Sequence, residues 1–425
     1  MFKRLLVSLI LCIQVVTSCF AFNLVKNTSV RDTKNSSRNA FDSIPMLEKY
    51  YDESDDGYLE QWDKYQISLL TVSQGGPIYS WFGHAALLVV TPDGLEYTFD
   101  YGNFSFEDED FIKNFIMGRL WFVCSSSYAR SQIASLQVDG RSVTKVDLPF
   151  TAAQKKAVIN FLVANTQPEN REYLYHHYKD NCATRLRDII DRTTGGEFKK
   201  WAQTYDAPTF RQEASRALSR NRIVLWFLNF LQSATIDKSA TLWDAMFLPS
   251  VLQDAVMAYF NLQSSLIIDN ENSYKPIPDS PQSNIIFSIL AGIVLSLPAA
   301  LMLIFRHPRG KAIYIAIIDL FFGIIGSVLF FMMFFTNHDV TFQNENLIFI
   351  NPLLIILGLL TFIPKTGPQK ASAFCHRLLL AFILILALLK LLLPGIFSQS
   401  NWDILLTMFL IYLPASIPFA TRSNS

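Results

Sequence analysis

The chain has 425 residues, of which 51% are hydrophobic and 17% are charged. Its 36 basic and 36 acidic residues balance, and this zero net charge gives no support for a nucleic-acid-binding protein, which usually carries a basic face. The apolar excess lies at the N-terminus and in the last third of the chain, which indicates a membrane protein rather than one large soluble core.

The N-terminus has the pattern of a secretory signal. Basic residues precede an apolar run, so residues 1–22 are predicted to be a signal peptide. Cleavage near Ala21 is favoured because the chain is already anchored by C-terminal helices, but residues 16–19 also resemble a lipobox, which would leave Cys19 lipidated. Residues 23–43 are polar and rich in Asn and Ser, and they are predicted to be a disordered leader.

Residues 44–268 are predicted to form an exported α+β domain that can bury its own core, followed by a polar, proline-containing linker over 269–283. The hydrophobic periodicity and turn residues predict the elements in chain order. They are a helix over 45–62, a strand over 66–72, a hairpin of 85–91 and 95–101, a helix over 108–117, strands over 120–125 and 142–148, and helices over 152–165, 182–192, 210–217, 241–244 and 251–260.

The last third, residues 284–425, is predicted to be a five-helix transmembrane domain. Each of its apolar segments approaches or exceeds the roughly 17–25 residues that a spanning helix needs. The segments are about 284–305, 312–335, 347–363, 378–397 and 404–420. Loops 306–311 and 364–377 carry Lys and Arg whereas 336–346 and 398–403 carry neither, so the first two loops and the C-terminus are predicted to be cytoplasmic. The signal peptide independently places the exported domain on the opposite side.

Only two of the five cysteines, Cys124 and Cys182, lie in the exported domain. They could form a disulfide in an oxidising compartment, which is the structural alternative for Cys182. Cys124 lies in an apolar run and is interpreted as a buried small hydrophobe. Cys182 follows Asp180 and Asn181 at a predicted helix start, where the helix dipole and unpaired amides favour a nucleophilic thiolate.

A histidine at a strand start is the predicted partner of this thiol. His84 follows Gly83 where a buried apolar strand begins, and it is interpreted as the general base, with a satisfied core histidine as the alternative. His176 and His177 could also serve as the base, but they lie in the loop that leads to Cys182. The third group is expected on the next strand, as Asp100 or, as second choice, Tyr101; a turn cap is the alternative for Asp100.

Further residues are candidates for supporting roles. The backbone amide of Cys182 is a natural oxyanion donor at a helix start. The candidates for oxyanion or support roles are Asn181, Asp180 and Ser80, and those for substrate binding are Arg185, His338 and Asn344. Asp319 and Lys390 fall inside predicted spans, where charges are costly; Asp319 is expected to pair with another helix. No cofactor and no metal site are predicted.

Five short segments resemble the Lnb-type lipoprotein N-acyltransferase family. They are SWFGHA at 80–85, DYGNFSF at 100–106, DNCATRLRD at 180–188, DAMFLP at 244–249, and the NHD and NEN triplets within 337–346. The histidine precedes the cysteine in the chain, the reverse of the papain order, as in the circularly permuted relatives of lecithin–retinol acyltransferase. The expected fold is therefore α+β, with a circularly permuted papain-like (NlpC-like) periplasmic domain followed by five transmembrane helices.

The resemblance implies a cysteine-nucleophile acyltransferase of the bacterial inner membrane, with its catalytic domain in the periplasm. It would move a fatty acyl chain from a membrane phospholipid, through a thioester on Cys182, to the N-terminal amine of diacylglyceryl lipoproteins. Two alternatives remain at this stage: a cysteine-type peptidoglycan amidase or endopeptidase, and a non-enzymatic membrane assembly factor whose thiol is structural.

Overall fold

A computed structural model describes residues 56–104, 110–270 and 277–418. The predicted signal peptide, the leader, most of the first predicted helix and part of the linker lie outside the described residues. Contacts divide the described chain into two compact units. The sheet unit contains residues 56–217 and 239–281, and the helical unit contains residues 218–238 and 282–418.

The sheet unit is built on a seven-stranded antiparallel sheet with strand order β6-β4-β3-β2-β1-β5-β9. Its strands are β1 Gln66–Val72, β2 His84–Val90, β3 Glu96–Asn103, β4 Trp121–Tyr128, β5 Val143–Asp147, β6 Glu172–Leu174 and β9 Ser265–Ile268. Two short strands, β7 Asp206–Ala207 and β8 Ala240–Thr241, pair separately. The predicted α+β class of this part of the chain is confirmed.

The helices of the described residues are numbered along the chain. They are α1 Asp56–Asp63, α2 Phe111–Ile116, α3 Ala129–Val138, α4 Ala152–Asn165, α5 Cys182–Thr193, α6 Glu197–Ala202, α7 Phe210–Leu218, α8 Arg222–Leu231, α9 Leu242–Ala245, α10 Pro249–Phe260, α11 Ile285–Ile304, α12 Pro308–Phe335, α13 Leu353–Phe362, α14 Thr366–Leu392 and α15 Trp402–Ala415.

The central strands are buried on both faces, which explains why β1 and β2 are almost continuously apolar. Alternate residues such as Leu69 and Leu87 belong to the core shared with α4 and α5. Leu70 and Leu88, between them, belong to a second core that includes Ala129 of α3. The sheet therefore lies between two helical layers, with α5 on one face and α3 on the other.

The helical unit contains four helices that are long and apolar enough to cross a membrane, among the residues that the structure describes. They are Ile285–Ile304, Pro308–Phe335, Glu345–Phe362 and Gly367–Leu392, of which the third begins with the 3-10 turn Glu345–Ile348 and ends with α13. The fifth predicted span is instead the 14-residue helix α15, which extends about 21 Å at 1.5 Å per residue and is shorter than a hydrocarbon core of about 30 Å. Proline accounts for its early end, since Pro414 lies in its last turn and Pro418 follows.

The fourth span is also displaced from its predicted position. The sequence predicted this span over the apolar residues 378–397, but helix α14 begins at Thr366, within the expected loop 364–377. It ends at Leu392 because Pro394 disfavours helical geometry in the residue before it. Hydropathy detects the lipid-facing length of a helix and misses its polar extension.

The helical unit also contains a segment that the sequence assigned to the exported domain. Helix α8 groups with the later helices, and its Trp226 and Phe230 belong to their core. The side-chain amides of Asn344 and Asn346 each donate to the carbonyl oxygen of Phe230 at 2.9 Å, at the C-terminal end of α8. These bonds satisfy a carbonyl that a helix end otherwise leaves unpaired.

Two intramembrane charges have partners in the helical unit. His376 Nε2 on α14 lies 3.0 Å from Asp319 Oδ1 on α12, and both side chains are fully buried. Asp319 thus pairs with another helix, as expected. Lys390 Nζ lies 2.5 Å from Glu345 Oε2 and 2.5 Å from the carbonyl oxygen of Gln399.

Candidate active site

Cys182 is the first residue of α5, and a reciprocal cap defines this helix start. Asn181 Oδ1 accepts hydrogen bonds from the amides of Ala183 at 3.0 Å and Thr184 at 2.9 Å. Thr184 Oγ1 accepts from the Asn181 amide at 2.7 Å in return. This capping box satisfies three backbone donors and places the thiol at the positive end of the helix dipole.

The amide of Cys182 lies between these capped groups. It donates to no acceptor within the described part of the chain. An unengaged amide on the residue that carries the thiol is the donor that an oxyanion at this position requires.

His84 is the first residue of β2 and pairs with Val72 of β1. Gly83 precedes it with φ of 79°, in the left-handed region. A Cβ at Gly83 would lie 2.9 Å from the carbonyl oxygen of Val72. Both the backbone angle and the space therefore require glycine, and this turn fixes where the imidazole enters the sheet.

Asp100 on β3 contacts the imidazole directly. Its Oδ1 lies 2.8 Å from His84 Nε2 and also accepts the Gly102 amide at 2.6 Å. The pairing of β3 with β4 shifts register between Asp100 and Asn103. Such an irregularity re-aims backbone and side-chain groups next to functional sites, and here it accompanies the turn of the Gly102 amide towards the carboxylate.

The second oxygen of Asp100 is held by the helix that covers its face of the sheet. Gln132 Nε2 on α3 donates to Asp100 Oδ2 at 2.9 Å. The carboxylate therefore accepts hydrogen bonds at both oxygens, which holds its plane against the imidazole.

The electrostatics favour a charged imidazole beside a charged carboxylate. Burial alone would lower the pKa of His84, but the charge of Asp100, the neighbouring Cys182 thiol and hydrogen bonds to both raise this pKa well above its ordinary value. Burial would raise the pKa of Asp100, but His84 and the hydrogen bonds from His84, Gly102 and Gln132 lower it. Because His84 Nε2 faces Asp100, Nδ1 is the ring nitrogen left for the thiol.

The structure thus brings Cys182, His84 and Asp100 together, and these three residues are named the thiol triad below. The side chains of His84 and Asp100 are 20% and 9% exposed. The triad is therefore largely protected from solvent and still reachable by a substrate.

The second choice for the third residue points elsewhere. Tyr101 is buried in the core, and its hydroxyl donates to Asn165 Oδ1 at 2.7 Å. Its carbonyl oxygen accepts the hydroxyl of Tyr173. Adjacent strand residues face opposite sides of a sheet, so Asp100 and Tyr101 cannot both face His84.

The predicted support residues are used by the local structure. Ser80 Oγ donates to the carbonyl of Pro77 at 2.7 Å, within the loop before β2. The side-chain amide of Asn181 donates to the carbonyls of His177 at 2.7 Å and Phe247 at 2.9 Å. These contacts hold the loop and the helix cap in place and leave the Asn181 amide no hydrogen for an oxyanion.

Asp180 and Arg185 form an ion pair at the start of α5. Arg185 Nε lies 2.5 Å from Asp180 Oδ1, and its Nη2 lies 2.7 Å from Oδ2. The guanidinium also lies 4.2 Å from the ring centroid of Tyr173. At 4% exposure, Arg185 is a buried structural cation and does not present a free charge to substrate.

The two candidates from the helical unit, His338 and Asn344, lie near its polar loops. The carbonyl of His338 accepts the amide of Thr341 at 2.9 Å, and the His338 side chain is half-buried. Asn344 is buried, with Oδ1 accepting from Gln399 Nε2 at 3.0 Å and Nδ2 donating to Phe230. Asn344 is thus engaged in the network around α8.

The two loop histidines, His176 and His177, make contacts within the loop and with aromatic rings. His176 Nδ1 accepts the amides of Tyr178 at 3.2 Å and Lys179 at 3.1 Å, which shapes the loop before α5. Burial and the charge of His176 lower the pKa of His177 to about 4, so His177 is neutral at physiological pH. Its ring packs against Phe82 with centroids 4.4 Å apart.

Neither cysteine of the sheet unit forms a disulfide, since Cys124 and Cys182 are both free. Burial raises the pKa of Cys124 to about 12, which makes it an unreactive thiol at neutral pH. The structure therefore excludes a Cys124–Cys182 disulfide, the alternative role considered for Cys182.

Two contributors to the site were missed by the sequence analysis. Gln132 lies on a helix with no strong apolar stripe, and nothing in its local sequence indicates contact with Asp100. Phe247 lies in the DAMFLP segment, and its carbonyl holds the cap of the Cys182 helix. The sequence indicated this segment only through the family resemblance, whereas in the structure it anchors Asn181 at the start of α5.

Comparison with known families agrees with this architecture. Residues 58–216 match the family described as the Lnb N-terminal periplasmic domain, and residues 281–419 match the Lnb transmembrane domain. No curated protein and no solved structure matches the chain. The two matched regions together cover most of the sequence, in the expected order. The chain therefore belongs to the Lnb family and is a membrane protein with an N-terminal periplasmic domain, as the resemblance of its motifs predicted.

Proposed function

We propose that this protein is a lipoprotein N-acyltransferase in which Cys182 is the nucleophile, His84 the general base and acid, and Asp100 the residue that orients and charges His84. The observation that carries the proposal is the thiol triad itself: a helix-start thiol beside an imidazole whose Nε2 lies 2.8 Å from a buried carboxylate. This is the arrangement that activates a cysteine nucleophile.

The chain order supports a circularly permuted papain-like fold for the periplasmic domain. The strand residues His84 and Asp100 precede the helix residue Cys182, although the three meet in one site. The helix packs on the sheet that carries the imidazole, with Ala183 and Leu186 of α5 in one core with Ala85 and Leu87 of β2.

In the first half-reaction, the Cys182 thiolate attacks the carbonyl carbon of a phospholipid ester while His84 holds the thiol proton. The Cys182 amide would donate to the tetrahedral oxyanion. The ester carbon–oxygen bond then breaks, and the leaving alkoxide takes the proton from His84. A lysophospholipid departs, and the acyl chain remains as a thioester on Cys182.

In the second half-reaction, the neutral α-amine of a diacylglyceryl lipoprotein attacks the thioester carbon. His84 accepts a proton from the amine, the carbon–sulfur bond breaks, and the thiol is regenerated with an amide as product. The low exposure of the His84 and Asp100 side chains limits water at the site, which would favour transfer to the amine over hydrolysis.

The family and the membrane helices support the choice of substrates. Both the phospholipid donor and the lipoprotein acceptor are confined to the bilayer, so anchoring the periplasmic domain to that bilayer raises their local concentration. A bacterial inner-membrane location with a cytoplasmic C-terminus follows from the distribution of Lys and Arg in the loops.

The test separates formation of the thioester from transfer. Purified full-length protein is incubated with phosphatidylethanolamine without acceptor, and its intact mass is measured. We expect a mass gain of one acyl chain that maps to Cys182, disappears in Cys182→Ala and persists in Cys124→Ser. Addition of a diacylglyceryl lipopeptide should discharge the thioester and yield a triacylated peptide.

Three results of further measurements would reject the proposal. Triacylated lipoprotein N-termini persisting in cells that rely only on Cys182→Ala would exclude the cysteine as nucleophile. Cleavage of peptidoglycan fragments without acyl transfer would identify a cell-wall amidase or endopeptidase. Poor folding of Cys182→Ser would instead indicate the structural thiol of an assembly factor.

A further inference from the structure

A basic cavity of about 1060 Å³ lies in the helical unit, far along the chain from the thiol triad. It is lined by the end of α11, the start of α12, the start of α14 and the segment after α15. We name it the basic cavity. Its volume matches that of sites that enclose a small molecule.

Four of the lining residues are cationic: Arg306, Arg309, Lys311 and Lys370. None of the lining residues is acidic, among those that the structure describes. Lys311 is 2% exposed, and its Nζ donates to the carbonyl oxygen of Ile417 at 2.5 Å, so its charge is held within the wall. The four like charges around one concave space favour an anion inside it.

The remaining walls are apolar. Leu303 and Ile304 contribute from α11, Ile315 from α12, and Ile417 from the segment after α15. An anionic head bound by the cations would thus have hydrocarbon beside it. A small soluble anion makes no use of such walls, whereas a lipid with a phosphate and acyl chains satisfies both kinds of lining.

The Lys and Arg of loops 306–311 and 364–377, which contribute to this cavity, favour a cytoplasmic location for it. The periplasmic domain ends before α11, so one crossing of α11 brings its final residues, Leu303 and Ile304, to the cytoplasmic side. Basic cavities between transmembrane helices on this side are suited to anionic lipid head groups. A lipid here is a separate ligand from an acyl donor at a periplasmic thiol.

We infer that the basic cavity binds an anionic glycerophospholipid of the inner leaflet, with its phosphate held by Arg309 and Lys370 beside the buried charge of Lys311 and its acyl chains against the apolar wall. The lipid would join α11, α12 and α14 at their cytoplasmic ends. This inference does not depend on the proposed acyl transfer.

The experiment measures lipid retention by native mass spectrometry of the full-length protein, released from nanodiscs with equal phosphatidylglycerol and phosphatidylethanolamine. The test variant is Arg309→Gln with Lys370→Gln, which removes two lining charges and leaves the buried Lys311. The matched control is Lys365→Gln, an exposed cation at the same end of α14 that does not line the cavity. Each cation near a lipid surface contributes about fivefold in affinity, so the double variant should bind phosphatidylglycerol about 25-fold more weakly.

The expected result is preferential retention of one phosphatidylglycerol by the wild type and by Lys365→Gln, and its loss in the double variant. Equal retention of the two lipids, or equal weakening by Lys365→Gln and a single cavity substitution, would show diffuse attraction and overturn the inference. Displacement of the lipid by millimolar inorganic phosphate would indicate a free-anion site and also overturn it. Repeating the measurement in Cys182→Ala separates this result from the fate of the acyltransferase proposal.

Discussion

Gly102→Ala is expected to inactivate the thiol triad without unfolding the protein. A Cβ at Gly102 would lie 3.2 Å from both Asp100 Oδ1 and His84 Nδ1, and still closer to His84 Cε1. The backbone of Gly102 lies outside the left-handed region, so alanine can adopt its conformation. The effect therefore comes from the collision with the imidazole and not from backbone strain.

The magnitude follows from the displacement that the collision requires. The imidazole must move by about 1 Å, which lengthens its 2.8 Å contact with Asp100 and disturbs its interaction with Cys182. A misplacement of this size costs about 100-fold in rate. Overpacking at a buried site costs about 1–3 kcal/mol of folding free energy, which leaves a typical domain folded.

The assay compares the rate of thioester formation on Cys182 with the thermal unfolding of the same sample. Gly395→Ala is the matched control, since a Cβ there meets no atom within 4 Å and its φ is not left-handed. We expect Gly395→Ala to keep the wild-type rate. A Gly102→Ala variant that forms the thioester at the wild-type rate would refute the assigned position of His84 in catalysis.

Three further substitutions test the groups around the triad. Asp100→Asn removes the charge that raises the pKa of His84, so this pKa should fall and the alkaline limb of the kcat/KM profile should move to lower pH. The raised pKa of His84 stabilises the fold fully below its ordinary value of 6.5, and the lowered pKa of Asp100 does so above 3.8. The loss of stability in urea unfolding should therefore be largest between these two pH values, and a loss that does not vary with pH would contradict the ion pair. Gln132→Leu removes a hydrogen bond to a charged carboxylate, so urea unfolding should show a loss of about 1.5–3 kcal/mol. The pKa of Asp100, read from the acid limb of the kcat/KM profile, should rise, and an unchanged acid limb would exclude a positioning role for Gln132. Asn181→Ala removes the cap of α5 and should lower the free energy of unfolding by about 1–2 kcal/mol, whereas no change would show that the cap is dispensable.

Local sequence patterns predicted much of the fold. The strand at 66–72 and the helix at 152–165 match β1 and α4 residue for residue, because continuous apolar residues and a capping Thr151 act locally. Helix α3 was missed because its apolar residues form no clear stripe. The sequence did not indicate that α8 belongs to the helical unit. Asn344 and Asn346, which donate to the carbonyl at its C-terminal end, lie more than a hundred residues later.

The sequence likewise predicted some residues of the candidate site and left others undecided. Cys182 and His84 were identified from their own neighbours, an Asn cap and a glycine turn. The choice between Asp100 and Tyr101 required the register of β3 and its irregularity at Gly102, because a shift of one residue turns every side chain to the other face. Ser80, Asn181 and Arg185 had the right chemistry, but hydrogen bonds and an ion pair already engage their side chains.

The sequence by itself determined the class of the protein, the approximate positions of its four long apolar spans and the two ends of the thiol–imidazole pair, since hydropathy, helix caps and glycine turns depend on residues close in the chain. The tertiary structure alone decided which carboxylate meets the imidazole, that Gln132 of α3 holds this carboxylate, and that four cations surround one cavity. These features depend on contacts between residues far apart in the chain, which no local pattern specifies.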